Sequence, residues 1–297
     1  MALKYSVKNN GLERIGLNVL EEPQQVLEVL VGAGYDGIEI KGEPDRIDSR
    51  LAGEIADAAT SRGVKVSAVG GAWGAWDAGE ERDLGSSEDA VRRHALGYAE
   101  KCINLAADLK APIFEICAAP FFQEYPFSSV PLETSKQNFI QAVSGLCQYA
   151  ADHNVAIAIE PINRFEGYPG FLNSVDDAMI VIDEIASDNL GVLLDFFHAN
   201  IEDASIPGAI RMAGSRLMNI HLSDSNRDAP GTGHIDFIAA IKALVKVEYE
   251  GYISMGFLPS RLNLPKLREA LLEKSIGYMR EQEGVAVSEK KEGNYAK

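Results

Sequence analysis

The amino-acid sequence predicts an α/β protein folded as a single (β/α)8 barrel. Three observations carry that expectation. Short β-branched or apolar runs alternate with amphipathic stretches, eight such pairs can be counted, and no Pro/Gly/Ser-rich linker interrupts them in 297 residues. A doubly wound sheet also alternates strands and helices, but it suits eight uninterrupted units less well. Gly231-Thr232-Gly233 lacks the strand-tight turn and third glycine of a dinucleotide fingerprint, and reads as a loop. The strands fall, in order, at residues 3–7, 35–40, 64–69, 112–116, 155–160, 190–194, 217–222 and 251–254. Between them, residues 23–33, 47–62, 88–110, 132–153, 174–186 and 235–245 carry helical patterns. Across 91–107 the apolar positions recur three and four apart, as a helix with one face on a sheet requires. Gly32 or Gly34, Gly63 and Asn154 stand where left-handed C-caps would end three of these helices. The barrel is expected over residues 1–284, with 285–297 as a polar, mixed-charge tail.

Composition narrows the partners. With 28 Lys+Arg against 44 Asp+Glu the net charge is −16, which argues against nucleic acid and against an anionic membrane surface. Acidic side chains can still gather in one cleft. Cys102, Cys117 and Cys147 are odd in number, widely spaced and set in apolar stretches, so they read as buried structural thiols in a reducing compartment. The first residues show no secretory pattern, and no run approaches the roughly 18 apolar residues of a membrane span. The expectation is a cytoplasmic protein with a small-molecule partner, assembled as a homo-oligomer (dimer or tetramer).

Barrels of this kind build their sites where strands end and βα loops begin. The fifth predicted strand ends in Glu160 and continues Pro161-Ile162-Asn163-Arg164-Phe165-Glu166. The sixth delivers Asp195, then Phe196-Phe197-His198-Ala199-Asn200, and the seventh delivers His221, then Leu222-Ser223-Asp224-Ser225-Asn226-Arg227. An acid alone at a strand end is usually a helix cap or an ion-pair partner. Two carboxylates and an imidazole on three successive strands instead suit a divalent cation (Mn²⁺, Mg²⁺, Co²⁺ or Zn²⁺), the oxygen-rich set favouring the harder ions.

Glu160-x-x-Asn163-Arg164-x-Glu166, Asp195-x-x-His198-x-Asn200-Ile201-Glu202, and His221 with Arg227 six residues on resemble the ketose 3-epimerase family. These are the D-tagatose/D-psicose 3-epimerases of the xylose-isomerase-like TIM-barrel superfamily. The likeness extends to Ala33-Gly34-Tyr35-Asp36-Gly37-Ile38-Glu39 at the second strand and to Gly231-Thr232-Gly233-His234-Ile235-Asp236-Phe237 after the histidine. The resemblance implies a divalent ion, usually Mn²⁺, held by Glu160, Asp195 and His221, with Glu160 also the catalytic base. It implies that Glu166, His198 and Arg227 contact the oxygens of a ketose. The chemistry would be proton abstraction beside a polarised carbonyl, through an enediolate.

One position departs from the family. Where it carries a second catalytic glutamate after the eighth strand, this chain reads Ser254-Met255-Gly256-Phe257-Leu258. Gly256 can neither ligate nor carry a proton, and a two-base epimerase needs a carboxylate on each face. Three readings stand open. The chain is an altered or impaired epimerase, reduced in the limit to sugar binding. Or Glu39 or Glu115 substitutes, although each also reads as a structural pair. Or the chemistry needs one base: same-face isomerisation, or β-elimination on a 3-oxo sugar like the barrel subunit of C-glycoside deglycosidases. No basic cluster follows strands seven and eight, so an uncharged ketose or oxo-sugar fits better than a phosphate ester. Trp73 and Trp76 could stack on a sugar face or pack as a lid. His94 and His153 read as structural and His234 as a cap or supporting group, while the aromatic run 121–127 suggests a substrate wall or oligomer contact.

Overall fold

A computed structural model describes residues 2–73, 80–118, 132–166, 170–256 and 264–293 of the chain. Eight parallel strands close in sequence order: β1 (Lys4–Lys8), β2 (Gly37–Lys41), β3 (Lys65–Gly70), β4 (Ile113–Cys117), β5 (Ala156–Glu160), β6 (Leu190–Asp195), β7 (Leu217–Leu222) and β8 (Tyr252–Met255), with β8 pairing back onto β1. This is the predicted (β/α)8 barrel. Outside it run α1 (Asn9–Glu13), α2 (Pro23–Ala33), α3 (Ser49–Ser61), α4 (Asp89–Asp108), α5 (Leu132–Asp152), α6 (Val175–Ile185), α7 (Phe196–Glu202), α8 (Ile206–Ala213), α9 (Phe237–Lys246), α10 (Leu264–Glu269) and α11 (Ser275–Gly293), the last two joined by a π-helical turn. Each strand lies within two residues of its predicted place. The β6–β7 crossover holds two short helices, α7 and α8, whose brevity leaves little periodicity to detect.

Local chemistry sets the helix ends. Asp48, Ser205 and Asp236 accept hydrogen bonds from the third residue of α3, α8 and α9, and Ser174 forms a capping box with Asp177. The left-handed conformation appears at Gly34 (φ 90°), Gly63 (φ 73°) and Asn154 (φ 56°), whereas Gly32 lies inside α2. The stretch set apart as a polar tail begins as the last turns of α11, which reaches Gly293. A packed face accounts for it: Ala286 is buried, and Glu283 accepts from the Leu3 amide at 2.9 Å and pairs with Arg280. The polar surface of that helix hid this anchorage.

Ala68, Ile113, Ala158 and Leu193, backed by Met218, form an apolar cluster of their own. Ser6, Ser67 and Ser254 share hydroxyl hydrogen bonds of 2.5 and 3.1 Å. Asn219 donates to Glu115 Oε1 at 2.6 Å. A register shift at Ile38/Glu39 and another at Val192/Leu193 re-aim residues at the upper end of β2 and β6. Register places Lys8 beside Glu39 and Asp195 beside His221, so titratable groups crowd the mouth where the strands end.

Candidate active site

Glu160 ends β5 and His221 lies one residue before the end of β7. The carboxylate Oε1 is 3.2 Å from His221 Nδ1. Asp195 ends β6 and does double duty. Its Oδ1 accepts from Phe197 N at 2.8 Å and caps α7, while its Oδ2 accepts from Arg227 Nη1 at 2.8 Å. Arg227 also pairs with Glu166 at 3.3 Å and lies 4.6 Å over the Phe197 ring. Its backbone sits at φ 62°, an uncommon conformation for an arginine, fixed by hydrogen bonds from Arg227 N to Asp224 O and Asp224 N to Asp228 O. A cavity of about 360 Å³ opens over these groups, within the roughly 300–1,000 Å³ range usual for small-molecule sites.

The two histidines are set in different states by their neighbours. Asn163 Oδ1 is taken by the backbone amides of Phe165 and Glu166 (3.0 and 3.2 Å), so its amide nitrogen faces His198 Nδ1 at 2.7 Å. His198 Nδ1 is therefore an acceptor, and the ring proton sits on Nε2, which faces Asp195 and Arg227. At His221 the order is reversed. Nε2 lies 3.1 Å from Glu39 and 3.3 Å from Glu115, both acceptors, and 3.3 Å from the Lys8 ammonium; the two carboxylates outweigh the one donor, so Nε2 carries a proton and Nδ1 is turned toward Glu160. A carboxylate fixing one imidazole nitrogen so that the other can ligate is the usual support of a metal-bound histidine.

Electrostatics follow from this crowding. Burial would raise Glu39, but Lys8 and His221 beside it hold its carboxyl far below the ordinary range. Burial and the neighbouring Glu39 push Glu115 up. Against the desolvation of their sites, Glu160 is lowered by His221 and His198, and Asp195 by Arg227 and His198. Burial lowers His198 below the usual imidazole value, which keeps the ring neutral. The acids around His221 raise it well above that value, despite burial and Lys8. Burial opposes the charge on Lys8 as well, yet Glu39, Glu115 and Glu160 hold it above the normal lysine range, so it is an ammonium.

All six residues expected to form the site line this one cavity. The ligand atoms of Glu160, Asp195 and His198 lie within 4.8 Å of one another, as do those of Glu39, Glu115 and His221, giving two candidate metal-binding groups. The expected trio of Glu160, Asp195 and His221 is neither of these groups: it takes two members from the first and one from the second, and both Asp195 oxygens already accept hydrogen bonds, from Phe197 N and Arg227 Nη1. Its donor chemistry fits a divalent ion: two ionised carboxylates and an imidazole whose far nitrogen is anchored. Glu39 and Glu115 are buried supports of His221 rather than an isolated ion pair. Lys8 and Asn163 carry weight that sequence reasoning did not assign. Asking of β1 what was asked of β5–β7, which side chain ends the strand, would have found Lys8.

Of the other residues singled out, Trp73 is buried, donates to Glu115 O at 3.1 Å and packs edge-on against Tyr98. Trp76 and the aromatic run 121–127 lie outside the described residues. His234 Nδ1 meets Ser225 Oγ at 2.9 Å, His153 meets Tyr149 O at 2.8 Å and His94 meets Glu80 at 3.2 Å, all away from the cavity. The three cysteines are buried and unbridged. No helix among the described residues is long and apolar enough to cross a membrane.

A closed parallel barrel that gathers acids and imidazoles at the C-terminal mouth is a (β/α)8 barrel with its candidate site at the face where such barrels carry them. Residues 27–282 match the family described as Xylose isomerase-like TIM barrel, and the chain belongs to that family. An L-ribulose 3-epimerase from Methylomonas sp. (strain DH-1) is 26% identical over 242 residues, 80% of this chain and 79% of that protein. A 3-dehydro-D-guloside 4-epimerase from Escherichia coli (strain K12) is 26% identical over 242 residues, 80% of this chain and 86% of that protein. The structure of an L-ribulose 3-epimerase matches with a TM-score of 0.80 at 24% identity, covering 98% of this chain and 97% of that one, which establishes the shared fold. These named relatives are epimerases and place the chain among isomerase-type enzymes.

Proposed function

We propose that this chain is a metal-dependent isomerase or epimerase of a ketose or oxo-sugar, with Glu160 as ligand and base. The observation that carries the reading is the arrangement about His221: Glu39 and Glu115 hold Nε2–H, which turns Nδ1 to within 3.2 Å of the Glu160 carboxylate. Glu160, Asp195 and His221 would hold a divalent ion, Mn²⁺ first among the candidates, with Mg²⁺ or Co²⁺ also suited. When bound, such an ion polarises a carbonyl and acidifies the neighbouring C–H. Glu160 removes the proton from that carbon onto a carboxylate oxygen. His198 Nε2–H and the Arg227 guanidinium donate to substrate oxygens as negative charge gathers there. Glu166 orients Arg227 through their 3.3 Å pair and accepts from a sugar hydroxyl. Because Gly256 offers no carboxylate on the opposite wall, Glu160 gives the proton back on the same face to the adjacent carbon, while the hydroxyl proton passes to the former carbonyl oxygen, as in aldose–ketose isomerisation. The homo-oligomer expected from sequence belongs to this reading too.

The test is carbon-bound hydrogen exchange. With Mn²⁺ in D₂O, D-tagatose, D-fructose or L-ribulose should gain deuterium beside the carbonyl, seen by NMR. A product epimeric at C3 would show that a second acid acts from the far face. Loss of an aglycone from a 3-oxo glycoside would indicate elimination. No exchange with any of these sugars would contradict the reading.

A further inference from the structure

We propose that Lys8 is a substrate-contacting cation on the β8–β1 wall of the cavity, lying across the space that a side chain at position 256 would take. There it donates a hydrogen bond to the substrate oxygen that gains negative charge during proton transfer. The proposal rests on the sugar-isomerase reading above and adds a residue to it.

Three observations point to this role. First, Lys8 and Gly256 are spatial neighbours from opposite ends of the chain. β1 and β8 pair through Val7 and Met255, and a Cβ built at position 256 would stand 3.2 Å from Lys8 Cδ and 3.7 Å from His221 Cβ. The lysine methylenes thus pass over the glycine, and a larger residue there would push against them. Second, Lys8 borders the cavity with Glu160, Arg227 and Gly256, and its side chain keeps 27% exposure where that of its partner Glu39 keeps 1%. Third, Glu39 does not need Lys8 as its sole counter-charge, because His221 Nε2–H already reaches it at 3.1 Å. An ammonium has three N–H groups. Lys8 Nζ is held by its ion pair with Glu39 at 3.1 Å and lies 3.3 Å from His221 Nε2, and three donors are more than those two neighbours can occupy. A buried counter-ion would be enclosed with its acid, whereas Lys8 is pinned at one side and open at the other.

The consequence is chemical. A carboxylate at position 256 would present a base to the second face of the substrate. Lys8 presents a positive charge and hydrogen-bond donors instead, so this wall stabilises charge and Glu160 remains the carrier of the carbon-bound proton. Glycine at 256 and lysine at 8 form one matched arrangement.

The experiment measures deuterium exchange into D-tagatose and D-fructose with Mn²⁺ present, for wild type, K8M, K8R and G256E, alongside thermal melting. Loss of one preorganised donor predicts a fall in kcat for K8M of about 10²–10³, with KM changed by less than about fivefold. K8R, which keeps the charge and donors, should recover at least about tenfold of that loss. A purely structural lysine would instead lower the melting temperature without this split between kcat and KM. G256E should slow exchange by about tenfold or more, because the new carboxylate captures the ammonium. K8M exchanging within about twofold of wild type would overturn the role of Lys8. If K8M does not fold, G256E decides, and exchange that is unchanged or faster overturns it. Wild type that exchanges neither of these sugars nor L-ribulose overturns the isomerase reading and the Lys8 assignment together, whereas an active wild type matched by K8M overturns the assignment alone.

Discussion

The two walls of the cavity are built on different principles. On the β5–β7 wall, Glu160, Asp195 and His221 sit at or beside the strand ends, and each does what its residue type predicts at such a place. On the β8–β2 wall, the position where the resemblance leads one to expect a glutamate holds Gly256, and a lysine from β1 lies over it. The first wall is additive, a row of donors each carried by its own strand. The second is relational: Lys8 has meaning only beside Gly256 and Glu39, and Glu39 only beside His221. A family likeness thus transfers one wall residue by residue and leaves the other to be worked out from contacts.

Perturbing each wall sharpens the contrast. The largest effect is expected on the first. Glu160→Gln keeps the shape and removes the base, so exchange should fall by about 10³-fold or more while the melting temperature holds, measured by NMR and calorimetry. If the Gln variant retains a tenth of wild-type exchange, the base lies elsewhere. The next effect crosses between walls. Glu39→Gln removes a charge that fixes His221 Nε2–H, and loss of such a support weakens metal binding by roughly 10–100-fold, a change that Mn²⁺ titration followed by electron paramagnetic resonance reads directly. Unchanged affinity would mean that Glu39 serves Lys8 alone.

The smallest effect lies behind the first wall. Burial raises the Asp203 carboxyl to about 6, while its oxygen accepts from Val175 N at 3.2 Å. A folded-state value above the unfolded one means that the native state binds the extra proton, so stability falls as pH rises through that window. Between pH 5 and 7, Asp203→Asn should therefore gain on wild type by on the order of 1 kcal/mol in urea unfolding. A difference independent of pH would show that Asp203 titrates normally.

Much of the molecule was legible because its physics is local. Strands covered on both faces must be nearly continuous apolar runs, and Ser174, Gly34, Gly63 and Asn154 mark helix ends by their own backbone and side-chain chemistry. The β5–β7 residues were legible because strand order alone puts them at one rim. The remainder depends on distant pairings. Glu39 and Glu115 became supports of His221 only when the barrel closed, and the tautomer of His198 is decided by how two amides hold Asn163. The helical course of residues 285–293 turned on Ala286 and Glu283 packing beneath an otherwise polar surface. Lys8 falls one residue past the predicted first strand at 3–7, and nothing in its own neighbourhood announces the empty place beside it, contributed by residue 256.

The central claim is that the β5–β7 wall is where a cation sits and a proton is taken. A manganese anomalous difference map from crystals grown with Mn²⁺ tests it most directly. The account predicts one peak bounded by Glu160, Asp195 and His221 Nδ1, with Lys8 still lying against Gly256. A peak bounded by Glu39, Glu115 and His221 Nε2, or none at all, would contradict it.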